Sequence, residues 1–244
     1  MGFIKRLVLV LVTLVVVLIL VAGYLGFVPV LSKAFGSNKP RDLGVAHSVE
    51  AGFKGATAMN LPVSAADLEK IAKNSDLAKS FNGELSDVEA SSLVLLRQTD
   101  IDNFPVYLTT FKFNPDNTAE AAGMIRVANV GPFLRSTGVS KQDADTVVST
   151  LKLVQDAPFY LKGKVAITNN RVNLDVSQVE LGRLPLPASL LEPNKGAVES
   201  YVGNALGMNG FQVKTFAISN GKAKLEGTRP LKSIGPWVKT LRLN

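Results

Sequence analysis

An uninterrupted apolar run near the start of the chain constrains what this sequence can fold into. Residues 7–28 read LVLVLVTLVVVLILVAGYLGFV and carry no charged side chain. A helix rises about 1.5 Å per residue and the hydrocarbon core of a bilayer is about 30 Å thick, so a run of this length can span it. Thr13 is the only clearly polar side chain in the run, and its hydroxyl can bond to its own helix backbone. The run predicts an N-terminal transmembrane anchor over residues 1–28.

A cleaved signal peptide is the alternative for this segment. Lys5 and Arg6 form a basic start typical of such signals, but the apolar stretch is too long and residues 21–23 match the cleavage pattern poorly. Basic residues lie on both sides of the run, so the positive-inside rule is nearly balanced. Only six residues precede the run, and so short a segment can stay in the cytoplasm while the rest of the chain is translocated. We therefore favour a cytoplasmic N-terminus, with the main domain extracytoplasmic and held at the cell membrane.

The net charge of +7 has a local origin. No acidic residue precedes Asp42, whereas residues 42–244 hold 22 basic and 20 acidic side chains. The excess positive charge therefore lies beside the predicted span, where it can meet anionic headgroups. The near-neutral remainder lacks the electrostatic footprint of a nucleic-acid-binding protein, which leaves the bilayer as the predicted partner.

The absence of cysteine excludes disulfides and thiolate metal sites. An extracytoplasmic domain without disulfides fits a bacterial envelope protein better than a secreted animal module. Residues 29–41, PVLSKAFGSNKPR, read as a polar tether. Residues 42–244 are enough for a single domain with its own core.

Periodicity in this domain predicts helices and hairpins. Apolar stripes at helical spacing indicate three amphipathic helices, over 64–80, 140–155 and 193–206. Alternating segments indicate strand pairs, over 104–114 with 118–127, 159–167 with 172–181, and 210–219 with 222–229. A parity change at Ser177–Gln178 predicts a β-bulge, and Asn220–Gly221 predicts a type I′ turn. The expected fold class is α+β: a curved antiparallel sheet with the helices on one face.

No pattern of catalytic or metal-ligating residues is complete. His47 is the only histidine, which excludes multi-histidine metal sites and weakens a Ser-His-Asp triad. Ser149 and Lys152 match S-x-x-K but lack the accompanying motifs, and residues 100–111 lack the Gly and Glu of a calcium loop. We therefore predict a protein without catalysis, cofactor or metal.

One segment is distinctive at the motif level. Leu184, Pro185, Leu186 and Pro187 follow a strand, and their two prolines predict an extended edge that cannot pair. The order of elements, from a single N-terminal span through this LPLP segment to an amphipathic helix and a hairpin ending Leu225-Glu226-Gly227, resembles the YpmS-like family of membrane-anchored bacterial proteins of unknown function. Such domains are similar to tubular lipid-binding folds, so the resemblance implies handling of a lipid or a lipid-linked envelope component.

The predicted strand 104–114 suggests where an apolar ligand could bind. It is apolar on both faces, with Val106 and Leu108 on one and Tyr107, Phe111 and Phe113 on the other. A sheet with one core needs only one apolar face, so the second could line a groove or pack beneath a helix. Tyr107, Phe111 and Phe113 are therefore the candidate groove residues.

Three functions are compatible with these patterns. The first is an anchored domain that binds an apolar, lipid-like ligand or an envelope component without catalysis. The second is a scaffold or interaction subunit of a cell-envelope complex, with an unknown protein partner and no ligand cavity. The third, a cell-wall hydrolase or transferase, is disfavoured by the incomplete motifs. A closed apolar cavity would favour the first function, and a filled core with exposed apolar surface would favour the second.

Overall fold

The fold was obtained as a computed structural model of the 244-residue chain. The structure describes residues 2–25, 28–61, 78–97, 103–136, 138–151, 156–187, 192, 195–208 and 210–230, with the side chains of the first helix described from Val12 onward. The fold is α+β with an open, antiparallel sheet of eight strands in the described residues. This confirms the predicted class.

The described part of the chain forms seven α-helices and eight strands. The helices are α1 (Gly2–Tyr24), α2 (Pro29–Phe35), α3 (Val49–Ala58), α4 (Asp87–Arg97), α5 (Val127–Ser136), α6 (Lys141–Leu151) and α7 (Lys195–Met208). The strands are β1 (Ala78–Leu85), β2 (Val106–Phe113), β3 (Ala119–Ile125), β4 (Ala157–Thr168), β5 (Arg171–Leu181), β6 (Leu184–Pro185), β7 (Gln212–Ser219) and β8 (Lys222–Pro230).

Strand β4 organises the sheet because three strands pair with it. Strand β5 runs along one edge of β4, while β3 pairs with residues 157–163 and β7 with residues 166–168. The path from one end of the sheet to the other is β1-β8-β7-β4-β3-β2. Helix α4 contacts both end strands of this path, β1 and β2. The predicted curvature of the sheet and the placement of the helices on one face stay predictions.

The main core fills the space between the sheet and helices α3 and α4. Its buried side chains come from β1, β2, β7, β8 and α4. They are Phe81, Leu85, Ala90, Phe113, Ile218, Ala223 and Leu225. A second cluster lies elsewhere in the fold, where Leu43 packs with Ala122 and Tyr160.

Two local predictions are confirmed in detail. Ser177 is the extra residue in the pairing of β4 with β5, because Lys162 opposes Gln178 and Gly163 opposes Val176. At the β7–β8 turn, Asn220 and Gly221 have φ of 54° and 69°, the left-handed values that a type I′ turn requires. In both places the sequence signal is local, so no distant contact was needed to interpret it.

The helices were predicted less well. Helices α6 and α7 confirm the segments expected at 140–155 and 193–206, with residues 152–155, 193 and 194 outside the described residues. Most of the helix expected at 64–80 also lies outside the described residues, and its last three residues are wrong because they belong to β1. Helix α4 was missed although Ser86 and Glu89 form a complete capping box, with the Ser86 N–H donating to Glu89 Oε2 at 2.8 Å.

Helix α2 occupies most of the segment expected to be a polar tether. It ends at Gly36, whose φ of 67° is the left-handed conformation typical of a helix C-cap. The domain boundary near residue 42 stays a prediction. Within the described residues, no helix combines the length and the apolar character that crossing a membrane requires.

Side chains from outside the sheet cover its edges. At β2, the Phe111 N–H donates to Ser91 Oγ at 2.8 Å, and the Ser91 hydroxyl contacts the Phe111 carbonyl at 3.2 Å. At β5, the Leu174 N–H donates to Glu199 Oε1 at 2.7 Å. Asn60 donates through its amide to the Ser80 carbonyl at the β1 edge. Because these edge groups already have partners, the sheet is protected there against pairing with another strand.

Candidate functional site

The candidate functional site is the junction where the N-terminal helices meet the sheet. Both Ser32 and Ser37 are buried, and their hydroxyls donate to the Gly23 carbonyl at 3.1 and 3.0 Å. These bonds satisfy a carbonyl that the end of α1 leaves without a helical partner. A Cβ on Gly23 would lie 2.3 Å from the Leu31 Cβ, so glycine is required for α2 to pack this closely against α1.

A bidentate ion pair ties the following segment to the sheet. Arg41 Nη2 lies 2.8 Å from both carboxylate oxygens of Glu180 on β5, and Glu180 is only 8% exposed. The guanidinium lies 3.9 Å above the ring of Tyr160 on β4. The Gln178 amide donates to Glu180 Oε1 at 2.7 Å. Charge-assisted bonds of this kind are stronger than neutral ones, so the contact holds residue 41 in place.

Tyr160 connects this pair to a second carboxylate. Its hydroxyl donates to Glu120 Oε2 at 2.8 Å, and the Asn114 amide donates to Glu120 Oε1 at 2.9 Å. Burial alone would raise the pKa of Glu120, but the bonds from Asn114 and Tyr160 outweigh it, so the pKa is lowered. Burial, and then the Glu120 carboxylate, raise the pKa of Tyr160 to about 12. Within the described residues, Arg41, Glu180 and Glu120 each have a partner in this network, which indicates a structural contact.

We expect Tyr160 to resist ionisation when the protein is made alkaline. Its folded pKa of about 12 lies above the ordinary value of 10.0. The neutral phenol therefore contributes stability that is fully present below pH 10 and is lost as the pH rises through about 12. The difference in ultraviolet phenolate absorbance between wild type and Tyr160→Phe should show one tyrosine titrating at about 12 in the native chain. A difference curve centred on the ordinary tyrosine pKa would contradict this assignment.

The three candidate groove residues do not share one face. Tyr107 pairs with Met124 and Phe111 pairs with Ala121, and residues 121 and 124 lie on opposite faces of the continuous strand β3. The cause is a β-bulge at Leu108–Thr109, which the sequence pattern did not reveal and which reverses the alternation. The prediction of a shared face is therefore wrong for Tyr107.

Each of these aromatic side chains has a local packing partner. Phe113 is 8% exposed and belongs to the main core, and Phe111 packs against that core. The Tyr107 hydroxyl donates to Asp156 Oδ2 at 3.0 Å, and the Arg126 guanidinium lies 4.7 Å from its ring centre. Their role in ligand binding stays a prediction.

The LPLP segment forms a short paired strand at the junction. Leu184 and Pro185 form β6, which pairs with Glu180 and Leu181, and the Leu186 N–H donates to the Val179 carbonyl at 2.8 Å. The expectation that the LPLP segment cannot pair is therefore wrong on its side that faces β5. It pairs there because Leu186, which lies between the two prolines, retains its backbone N–H. The turn before β6 touches the end of α1, where the Arg183 N–H donates to the Leu25 carbonyl at 3.3 Å.

A cavity of about 470 Å³ lies elsewhere, between β1, β7, β8 and the β4–β5 turn. Its wall includes Ser80, Asn82, Asn169, Gln212 and Thr228, together with the ion pair of Lys214 and Glu226 at 2.8 Å. Phe81 and Val213 also line this cavity, so its wall is mixed and is not the apolar groove that the resemblance implies.

Two of the residues weighed as catalytic candidates lie within the described residues. His47 Nε2 lies 3.4 Å from Thr110 Oγ1, and the Ser149 hydroxyl donates to the Thr146 carbonyl at 2.9 Å in its own helix. Lys152 lies outside the described residues. In the part of the chain that the structure describes, no three His, Cys, Asp or Glu side chains are grouped as metal ligands would be.

No family model, curated protein or solved structure matches this chain. The junction therefore has to be interpreted from its own geometry. Sequence reasoning missed the pairing of Arg41 with Glu180 because the partners are far apart in the chain. The only local signal was that Arg41 ends a segment without acidic residues.

Proposed function

We propose that this protein is a single-pass, membrane-anchored extracytoplasmic domain that acts as a scaffold or interaction subunit of a cell-envelope complex, without catalysis. The observation that carries the proposal is the packed apolar cluster between the sheet and α4 in the described residues. Phe81, Phe113 and Leu225 occupy the side of the sheet that faces α4, where an apolar ligand would otherwise bind. Of the two functions left open by the sequence, a filled core favours the scaffold.

The anchor is proposed from the apolar run of the sequence, because residues 7–28 carry no charge and are numerous enough to span a bilayer as a helix. Helix α1 gives part of this run a helical backbone. From Val12 to Val21 its large apolar side chains are 42–58% exposed, an apolar surface that lipid tails would cover. On this proposal the N-terminus is cytoplasmic. The YpmS-like resemblance also stays a prediction.

Leu108 is the contact residue that we propose for the partner. It lies in the bulge of edge strand β2, is 50% exposed, and has a φ of 50°. A left-handed conformation costs a leucine about 1–2 kcal/mol. A strained, exposed apolar side chain of this kind supports a functional role at that position.

We expect Leu108→Asn to separate folding from assembly. Asparagine tolerates the left-handed conformation, so the variant should be at least as stable as wild type, but it removes the apolar contact. In native gels of detergent-solubilised source membranes, the wild-type chain should migrate in an assembly much larger than its own 26.0 kDa, and Leu108→Asn should not. Val147→Asn, at a residue that is 41% exposed on α6, is the matched control and should keep the assembly.

Native mass spectrometry of the purified full chain tests the lipid-binding alternative. The scaffold proposal expects no lipid that stays bound to the domain after the detergent is removed in the gas phase. A stoichiometric lipid together with an unassembled chain in source membranes would overturn the scaffold and favour the apolar-ligand function.

A further inference from the structure

We infer that α2 and the end of α1 form a seat at the level of the lipid headgroups, which holds the domain against an anionic bilayer surface. The seat consists of Tyr24, Val30, Lys33, Phe35 and Lys39. The inference rests on the proposed membrane anchor and adds to it a specific interfacial contact.

Apolar exposure on α2 is the first observation. Val30 is 79% exposed and Phe35 is 47% exposed, although the helix has only seven residues. Tyr24 at the end of α1 is 56% exposed, and its ring meets that of Phe35 edge to face with centres 6.2 Å apart. A tyrosine next to a span favours the membrane–water interface because its ring is apolar and its hydroxyl is polar, and phenylalanine is common on the apolar face of interfacial helices.

The charge of this region indicates that the seat contacts an anionic bilayer surface. Lys33 and Lys39 are exposed on the same short segment. No acidic residue occurs anywhere before Asp42, so no carboxylate from this part of the chain competes for these ammonium groups. Lysines next to apolar side chains at a helix end are the arrangement that recognises anionic headgroups. A protein partner would have to match the same charge while leaving room for the bilayer that α1 enters.

The seat is rigidly connected to the rest of the fold. Ser32 and Ser37 both bond to the Gly23 carbonyl, which fixes α2 against the end of α1. The Arg183 N–H bonds to the Leu25 carbonyl, and Arg41 bonds to Glu180 a few residues away on the same hairpin. Helix insertion therefore sets the position of the β5–β6 turn, so that this end of the sheet faces the membrane.

The test measures the depth of Phe35 in a bilayer. The full chain carries one tryptophan, so Trp237→Phe provides a background in which Phe35→Trp reports a single site. The protein is reconstituted into vesicles of equal parts phosphatidylcholine and phosphatidylglycerol, with bromine atoms placed either high or deep on the acyl chains. We expect the high bromines to quench the emission about twofold more than the deep ones. Phe53→Trp, at a residue that is 40% exposed on α3, is the matched control and should not be quenched.

A second variant and a membrane wash separate the seat from the anchor. Val30→Asp in the Phe35→Trp background places a charge at the most exposed apolar position, and it should reduce quenching to the level of Phe53→Trp. If position 35 is unquenched while the chain resists alkaline carbonate washing, the seat is wrong and the anchor stands. If the chain is washed out, the anchor itself is wrong and the seat fails with it.

Discussion

Phe113→Ala is expected to lower the free energy of unfolding of the full chain by about 3–5 kcal/mol. Phe113 is 8% exposed in the main core, so its removal loses buried apolar area and leaves a cavity beside Phe81 and Leu225. The measurement is urea unfolding of the detergent-solubilised chain, followed by circular dichroism. The matched control is Phe53→Ala, because Phe53 is 40% exposed and should cost about 1 kcal/mol or less.

This prediction also discriminates between the two proposed functions. If Phe113 lined a ligand groove, its truncation would leave the stability of the ligand-free protein nearly unchanged and would reduce bound lipid. A stable Phe113→Ala variant that has lost a co-purified lipid would therefore contradict both the core assignment and the scaffold proposal.

Glu180→Ala is expected to release the segment that joins the N-terminal helices to the sheet. The substitution removes both 2.8 Å bonds to Arg41 and leaves its guanidinium above Tyr160 without a carboxylate. Losing a charge-assisted bidentate contact costs about 2 kcal/mol, which corresponds to about a 30-fold larger population of the undocked segment. Cleavage by trypsin after Arg41 should accelerate by that factor, because proteolysis follows the open population.

The control for this experiment is another ion pair on the same sheet. Glu84 lies 3.2 Å from Lys224 and 3.4 Å from Lys222, with all three side chains about half exposed. Exposed pairs contribute little, so Glu84→Ala should cleave after Arg41 at the wild-type rate. Equal rates for wild type and Glu180→Ala would show that other contacts hold the segment, and the assignment of the Arg41–Glu180 pair as its tie to the sheet would then be wrong.

Much of the sheet could be predicted from the sequence because its signals are local. The alternation in β4 and β5, the turn at Asn169–Asn170 and the parity change at Ser177 each depend on a few consecutive residues. The turn at Asn220–Gly221 is equally local, since those two residue types readily adopt positive φ. Helix α4 is absent from the predicted elements although it carries an equally local signal in the capping box of Ser86 and Glu89.

The candidate groove shows where such local reasoning fails. Strand alternation placed Tyr107 with Phe111 and Phe113, but the bulge at Leu108–Thr109 moved Tyr107 to the other face. An extra residue in one strand is defined by its pairing with the neighbouring strand, so a single strand's sequence does not reveal it when both faces are apolar.

By itself the sequence determined the apolar N-terminal run, the near-neutral remainder, the α+β class and most of the hairpins, because composition, period and turn chemistry act within short stretches of chain. Tertiary structure decided which strand faces are buried and which segments that are distant in the sequence meet. Arg41 meets Glu180 across 139 positions of sequence, and the end of α1 meets the turn at Gly182–Arg183. Such contacts follow from the order and register of the strands, and this depends on all the pairings at once.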